Sequence, residues 1–164
     1  MNSWKIQNKF VERVIKGDNV IFDFSNNEEV YAFGDSYHFY VVPTDFVYID
    51  LVKISDVYSN LKRVKLLDGY SRMDFSANAT FCNEVRETFT IGKRTTKNYA
   101  RKFEYLDKEV WISENYLKEF EFHKYCDYFL VGADPEDGYK NPVRFDRIDY
   151  SVVILPVIFG GQND

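Results

Sequence analysis

Residues 146-DRIDYSVVILPVIFGG-161 decide how this chain is read. Val152 to Leu155 run into Pro156, and Val157, Ile158 and Phe159 follow. A membrane-spanning helix needs about 20 apolar residues, far more than this run holds. Its length and its β-branched content fit a buried strand instead. Pro156 has no backbone N–H to donate to a ladder, so it is expected at an edge or a bulge. The run is therefore read as the last strand of a core, and Leu155→Asp is expected to cripple folding.

A second stretch shares its pattern. Residues 37-YHFYVVP-43 and 150-YSVVILP-156 both run Tyr, any residue, apolar, any residue, two apolars, Pro. Each follows a segment with an Asn ahead of an apolar stripe: Asn8, Phe10 and Val11 in one, Asn115, Tyr116 and Leu117 in the other. Ser3 can cap a first helix and Gly17 can end it, with Trp4, Phe10, Val11, Val14 and Ile15 on one face. Strand-like runs follow at 19–24, 29–33, 37–42 and 46–51, divided by Asn, Gly, Asp and Pro. Towards the C-terminus, 109–112 reads as a strand, Ser113 caps a short helix at 114–120, and strands return at 127–131, 142–146 and 150–158. The expected fold class is α+β: a single domain over 1–164 made of two helix-plus-antiparallel-strand repeats, about 3–51 and 109–158. A middle segment at about 55–108 is inserted between them.

On these residues the chain resembles one domain of the bacterial DNA sliding clamp, the beta subunit of the replicative polymerase. Residues 115-NYLKEF-120 followed by 149-DYSVVILPVIF-159 are similar to that family's final helix and closing strand. Residues 31-YAFGDSYHFYVVP-43 look like its strand–turn–strand, in which an Asp-containing turn precedes an apolar strand. A clamp chain carries three such domains, whereas this chain has room for one plus the insertion. The resemblance implies the fold more than the ring.

A chain of 164 residues, 18% of them aromatic, can bury roughly 70% of its unfolded surface, which excludes a disordered polymer. Residues with AT-rich codons (Phe, Tyr, Ile, Asn, Lys) dominate, as in a low-GC bacterium or its phages. The N-terminal 1-MNSWKIQNKF-10 lacks the apolar core of a secretion signal, so a bacterial cytoplasm is the expected location and no membrane partner is expected. Cys82 and Cys126 read as small buried residues. With His38 and His123 they show no metal-ligand spacing. Asp45, Asp50 and Lys53 faintly resemble the acidic-plus-lysine core of a metal-dependent nuclease, but 50-DLVK-53 is one residue too long. No cofactor is expected.

Charge is arranged in blocks although the net is only −5. On the first helix Lys5, Lys9, Arg13 and Lys16 share the face opposite the apolar stripe, a spacing able to follow a phosphate backbone. Lys93, Arg94, Lys97, Arg101 and Lys102 form a second basic group, and a solvated helix face and polar loop are the plain alternatives. Acids return in Glu114, Glu119, Glu121, Asp134, Glu136 and Asp137. An acidic face on a rigid domain can occupy a basic groove, as anti-CRISPR and anti-restriction inhibitors do. The expected function is thus a non-enzymatic, phage- or mobile-element-encoded inhibitor of a protein of DNA metabolism or defence, acting by DNA mimicry. The alternatives are a reduced clamp that oligomerises on DNA and a small metal-dependent nuclease.

Overall fold

The computed structural model describes residues 2–24, 29–90, 96–122, 129–132 and 141–159. It is a mixed α+β protein whose chain divides into two compact units. The first comprises Met1–Met73 and Asp146–Val153, the second Asp74–Phe145 and Ile154–Asp164. Residues 109–158 are thereby shared between the units. Among the described residues no helix is long and apolar enough to cross a membrane.

In the first unit, helix α1 (Ser3–Ile15) precedes the strands β1 (Val20–Phe24), β2 (Val30–Gly34) and β3 (His38–Pro43). A single 3-10 turn (Thr44–Phe46), α2 (Leu51–Val57), β4 (Leu61–Arg63) and α3 (Leu66–Tyr70) follow. The unit's sheet runs β4-β1-β2-β3-β11, with β11 (Ser151–Ile154) supplied from the far end of the chain. β1, β2 and β3 form an antiparallel meander that sets Phe22 opposite Phe33 and Phe33 opposite Tyr40. β4 joins the other side of β1 in parallel. The two stretches of shared pattern, 37–43 and 150–156, thus contribute neighbouring strands.

The meander depends on a tight turn. Asp35 accepts the backbone N–H groups of Tyr37 and His38 at 2.8 and 3.0 Å, and the Asp35 N–H donates to the His38 carbonyl. A Cβ on Gly34 would lie 2.2 Å from that carbonyl oxygen, so the close strand approach requires glycine there.

Helix α1 differs from its expected form. Asn2, not Ser3, caps it, accepting the Lys5 N–H at 3.1 Å. Gly17, at φ +84°, does end the helix in the left-handed region. The buried face is Ser3, Ile6, Gln7, Phe10 and Val14, while Trp4 and Ile15 are 51% and 60% exposed. Two polar residues one turn apart point inward because each finds partners there, which rotates the helix about its axis. Phe10 then packs on Phe33 of the sheet, ring centroids 4.8 Å apart.

Residues 46–51 form no strand. Pro43 closes β3, a 3-10 turn follows, and Asp50 caps α2 by accepting the Lys53 N–H at 3.0 Å. The closing run is also shorter than expected. Val152, Val153 and Ile154 are fully buried in β11, whereas Leu155 and Ile158 are 40% and 63% exposed beyond it.

The second unit contains β5 (Ala77–Asn78), β6 (Thr80–Thr90), β7 (Thr96–Tyr105), β8 (Lys108–Ser113), α4 (Glu114–Glu119), β9 (Phe129–Val131) and β10 (Val143–Asp146). β6, β7 and β8 make an antiparallel sheet, β7 turning into β8 through Leu106 and Asp107, both at positive φ. β9 pairs antiparallel with both β10 and β5. Phe103, Phe122 and Phe145 meet edge to face at 5.6 to 5.7 Å, and Phe120 packs on Phe145 at 5.2 Å. The tail is tied into this unit: the Val157 N–H donates to the Trp111 carbonyl at 2.7 Å, and the Arg86 guanidinium lies 3.9 Å over the Phe159 ring.

Candidate partner-docking site

The first turn of α1 and the segment after β3 present an aromatic pair to solvent. Trp4 and Tyr48 meet edge to face at 5.7 Å and are 51% and 56% exposed. A buried polar clasp holds both in place. The Gln7 amide donates to the Phe46 carbonyl at 2.8 Å and to the Ser3 hydroxyl oxygen at 2.7 Å. Its Oε1 accepts the Tyr48 N–H at 2.7 Å. The Ser3 hydroxyl also donates to the Phe46 carbonyl, and its backbone N–H donates to Asp149. Four of these bonds tie Phe46, Tyr48 or Asp149 to Ser3 and Gln7 of α1, and the bond between Gln7 and Ser3 joins the two within the helix. Rigid exposed Trp and Tyr side chains contribute contact area at low entropic cost, which is why they anchor protein interfaces. Asp45 and Asp56 are exposed in the same stretch of chain, as is Val52 at 44%, and the exposed Asp50 pairs with Lys53 at 3.3 Å.

Among the described residues, several of the charged side chains singled out in the sequence are paired within the chain. Arg13 pairs with Asp35 at 2.8 Å and Asp18 at 3.3 Å, and Lys16 approaches Glu12 at 4.0 Å. Lys97 pairs with Glu87, which raises its pKa. Arg101 directs both Nε and Nη2 to Glu114, at 3.0 and 2.6 Å. Lys102, its side chain only 8% exposed, is gripped by Glu84, Glu104 and Glu109 at 2.9 to 3.1 Å. Those three hydrogen bonds, with Glu109 foremost, push its pKa far up. Lys5 and Lys9 are exposed on α1, and Lys9 is also engaged.

Glu114 fares like the cations. Bonded by Lys118 and then Arg101, it is held below the usual carboxylate range and is only 15% exposed, so it does not offer a free negative charge. Glu119 and Glu121 are half-buried and also engaged. Lys93, Arg94, His123, Cys126, Asp134, Glu136 and Asp137 lie outside the described residues. His38 is buried against Asp35 at 3.2 Å, and Cys82 is half-buried, its thiol pushed up first by burial and then by Glu104. Asp50 caps α2 and pairs with Lys53 at 3.3 Å.

Sequence reasoning missed a second feature of the first unit. A cleft of about 710 Å³ is lined by Asp23, Phe24, Arg63, Lys65, Asp68, Tyr70 and their neighbours. The Arg63 guanidinium lies 3.7 Å over the Phe24 ring. Arg63 and Lys65 are exposed and form no ion pair among the described residues, unlike Arg13, Arg101 or Lys102. The signal was present in 62-KRVK-65, a basic run that leaves the edge strand β4 and enters α3.

No protein-family model, no curated protein and no solved structure matches this chain.

Proposed function

We propose that the protein is a non-enzymatic binding protein, of the kind phages and mobile elements encode, that docks on a basic groove of a protein of DNA metabolism or defence and inhibits it. The observation that carries this reading is the exposed Trp4–Tyr48 pair, pre-organised by Gln7, on a stretch bearing Asp45 and Asp56. An aromatic anchor with acidic surroundings suits a basic protein surface: burial of the rings supplies affinity, and the carboxylates steer approach. The docking face thereby moves from the acids of 114–137 to residues 4 and 45–56.

The order of elements, α1 then β1 to β3 and α4 then β9 to β11, supports a sliding-clamp-like repeat as the framework. A reduced clamp that binds DNA through α1 would use the exposed Lys5, Lys9 and Lys16, although Lys9 is engaged and Lys16 lies 4.0 Å from Glu12. It loses Arg13, Lys97, Arg101 and Lys102 to internal carboxylates, because a phosphate would have to displace each of these pairs.

The test is a panel of DNA cleavage and extension assays with restriction endonucleases, RNA-guided nucleases and replicative polymerases. One of them is expected to be inhibited at stoichiometric protein. The Trp4→Ala/Tyr48→Ala double variant should melt like the parent and fail to inhibit. Direct binding of duplex DNA, weakening by orders of magnitude between about 50 and 200 mM salt, would overturn the reading in favour of the clamp.

A further inference from the structure

The cleft of the first unit is built differently from the docking face. It opens where the parallel strands β1 and β4 end, with α3 as its far wall. Its volume of about 710 Å³ falls within the range of small-molecule sites, roughly 300 to 1,000 Å³. Asp23 is buried at its base and accepts the Leu67 N–H at 2.8 Å, which orders the start of α3 against β1. Arg63 lies over Phe24, and Lys65 lines the cleft two residues further on. Tyr70, Ser71, Glu29 and Asp68 complete the polar lining.

We propose that this cleft binds a phosphorylated nucleotide, free or as one residue of a single strand. A guanidinium 3.7 Å over an aromatic ring leaves its outer side to a nucleobase. Its N–H fork and the Lys65 ammonium remain available to a phosphate, since among the described residues neither cation is held by a carboxylate. The carboxylates of Glu29 and Asp68 are acceptors for ribose hydroxyls or exocyclic amino groups. A bare anion would use the two cations but not Phe24 or the volume. An apolar ligand would leave both cations without a partner.

The experiment is a titration of isotopically labelled protein followed by amide chemical shifts. The probes are the four nucleoside 5′-monophosphates, adenosine, inorganic phosphate and 5′-phosphorylated tetrathymidylate. At least one monophosphate should shift resonances of residues 63–71 and saturate in the millimolar range or below. Adenosine and phosphate alone should each bind at least about tenfold more weakly. Arg63→Lys keeps the charge but loses the planar fork, so it should weaken binding about tenfold or more, as should Lys65→Ala. Lys118→Ala should bind as the parent does. Tighter binding of the tetranucleotide would assign a single strand as the source, and equal or weaker binding a free nucleotide. Both outcomes uphold the shared chemistry. Three results would overturn it: no shifts with any monophosphate, phosphate binding as tightly as the nucleotide, or full affinity in Arg63→Lys. Trp4→Ala should leave this binding unchanged, which separates it from the docking proposal.

Discussion

The buried Gln7 side chain bonds the segment after β3 on both sides of Val47, accepting the Tyr48 N–H at 2.7 Å and donating to the Phe46 carbonyl at 2.8 Å. Gln7→Leu fills similar space but leaves that N–H without its partner, so it should cost about 1–3 kcal/mol in urea unfolding. It should also release Tyr48 and weaken partner inhibition beyond the loss of stability. A variant within about 0.5 kcal/mol of the parent would show that the clasp does not hold the aromatic pair.

Asp35 gives the protein an acid limit. Burial by itself raises its carboxyl, but the His38 ring, the Tyr37 N–H and Arg13 outweigh that and hold it well below the ordinary value of 3.8. A carboxylate with a depressed folded pKa stabilises fully above its unfolded pKa, and that stability is lost as pH falls towards the folded value. The melting temperature should therefore fall as pH drops from about 5 through 4 and below. Asp35→Asn should start less stable at pH 7, by about 1–3 kcal/mol, and show a shallower acid decline. Parallel acid profiles for the two proteins would remove Asp35 as the cause.

Two glycines should respond in opposite directions to the same change. Gly34→Ala places a methyl 2.2 Å from the His38 carbonyl oxygen and 2.5 Å from the Phe39 Cα, both backbone atoms that can yield only by opening the β2–β3 turn. A loss of about 2 kcal/mol or more is expected. Gly69→Ala meets nothing within 4 Å inside α3 and should stabilise by about 0.5–1 kcal/mol. Thermal melts of the pair check both signs.

The closing run divides sharply by position. Val153→Asp would bury a charge in β11 and should abolish cooperative unfolding or cost several kcal/mol. Leu155→Asp, at a site 40% exposed just past the strand, should cost less than about 1 kcal/mol. Equal damage from both would mean that Leu155 is as enclosed as the strand before it.

Local pattern was enough to place the meander from residue 20 to residue 43 and the closing strand after residue 150. Alternation, a turn at Gly34 and Asp35, and prolines at the ends act over a few residues, and their consequences are visible in the chain itself. The direction of α1 was decided elsewhere. By hydropathy Trp4 belongs inside and Gln7 outside, but the Phe46 carbonyl and the Tyr48 N–H, some forty residues away, satisfy Gln7 and reverse the two. The same holds for charge. The sequence shows Arg101 and Lys102 as a basic block, and only the pairing of β7 with β6, β8 and α4 brings Glu84, Glu109 and Glu114 onto them. Lys65, in an equally basic run, meets no carboxylate among the described residues. A charge or an amide is free or satisfied according to neighbours distant in the chain. The composition and strand pattern were therefore legible in the sequence, while the choice of which polar groups face a partner belonged to the tertiary structure.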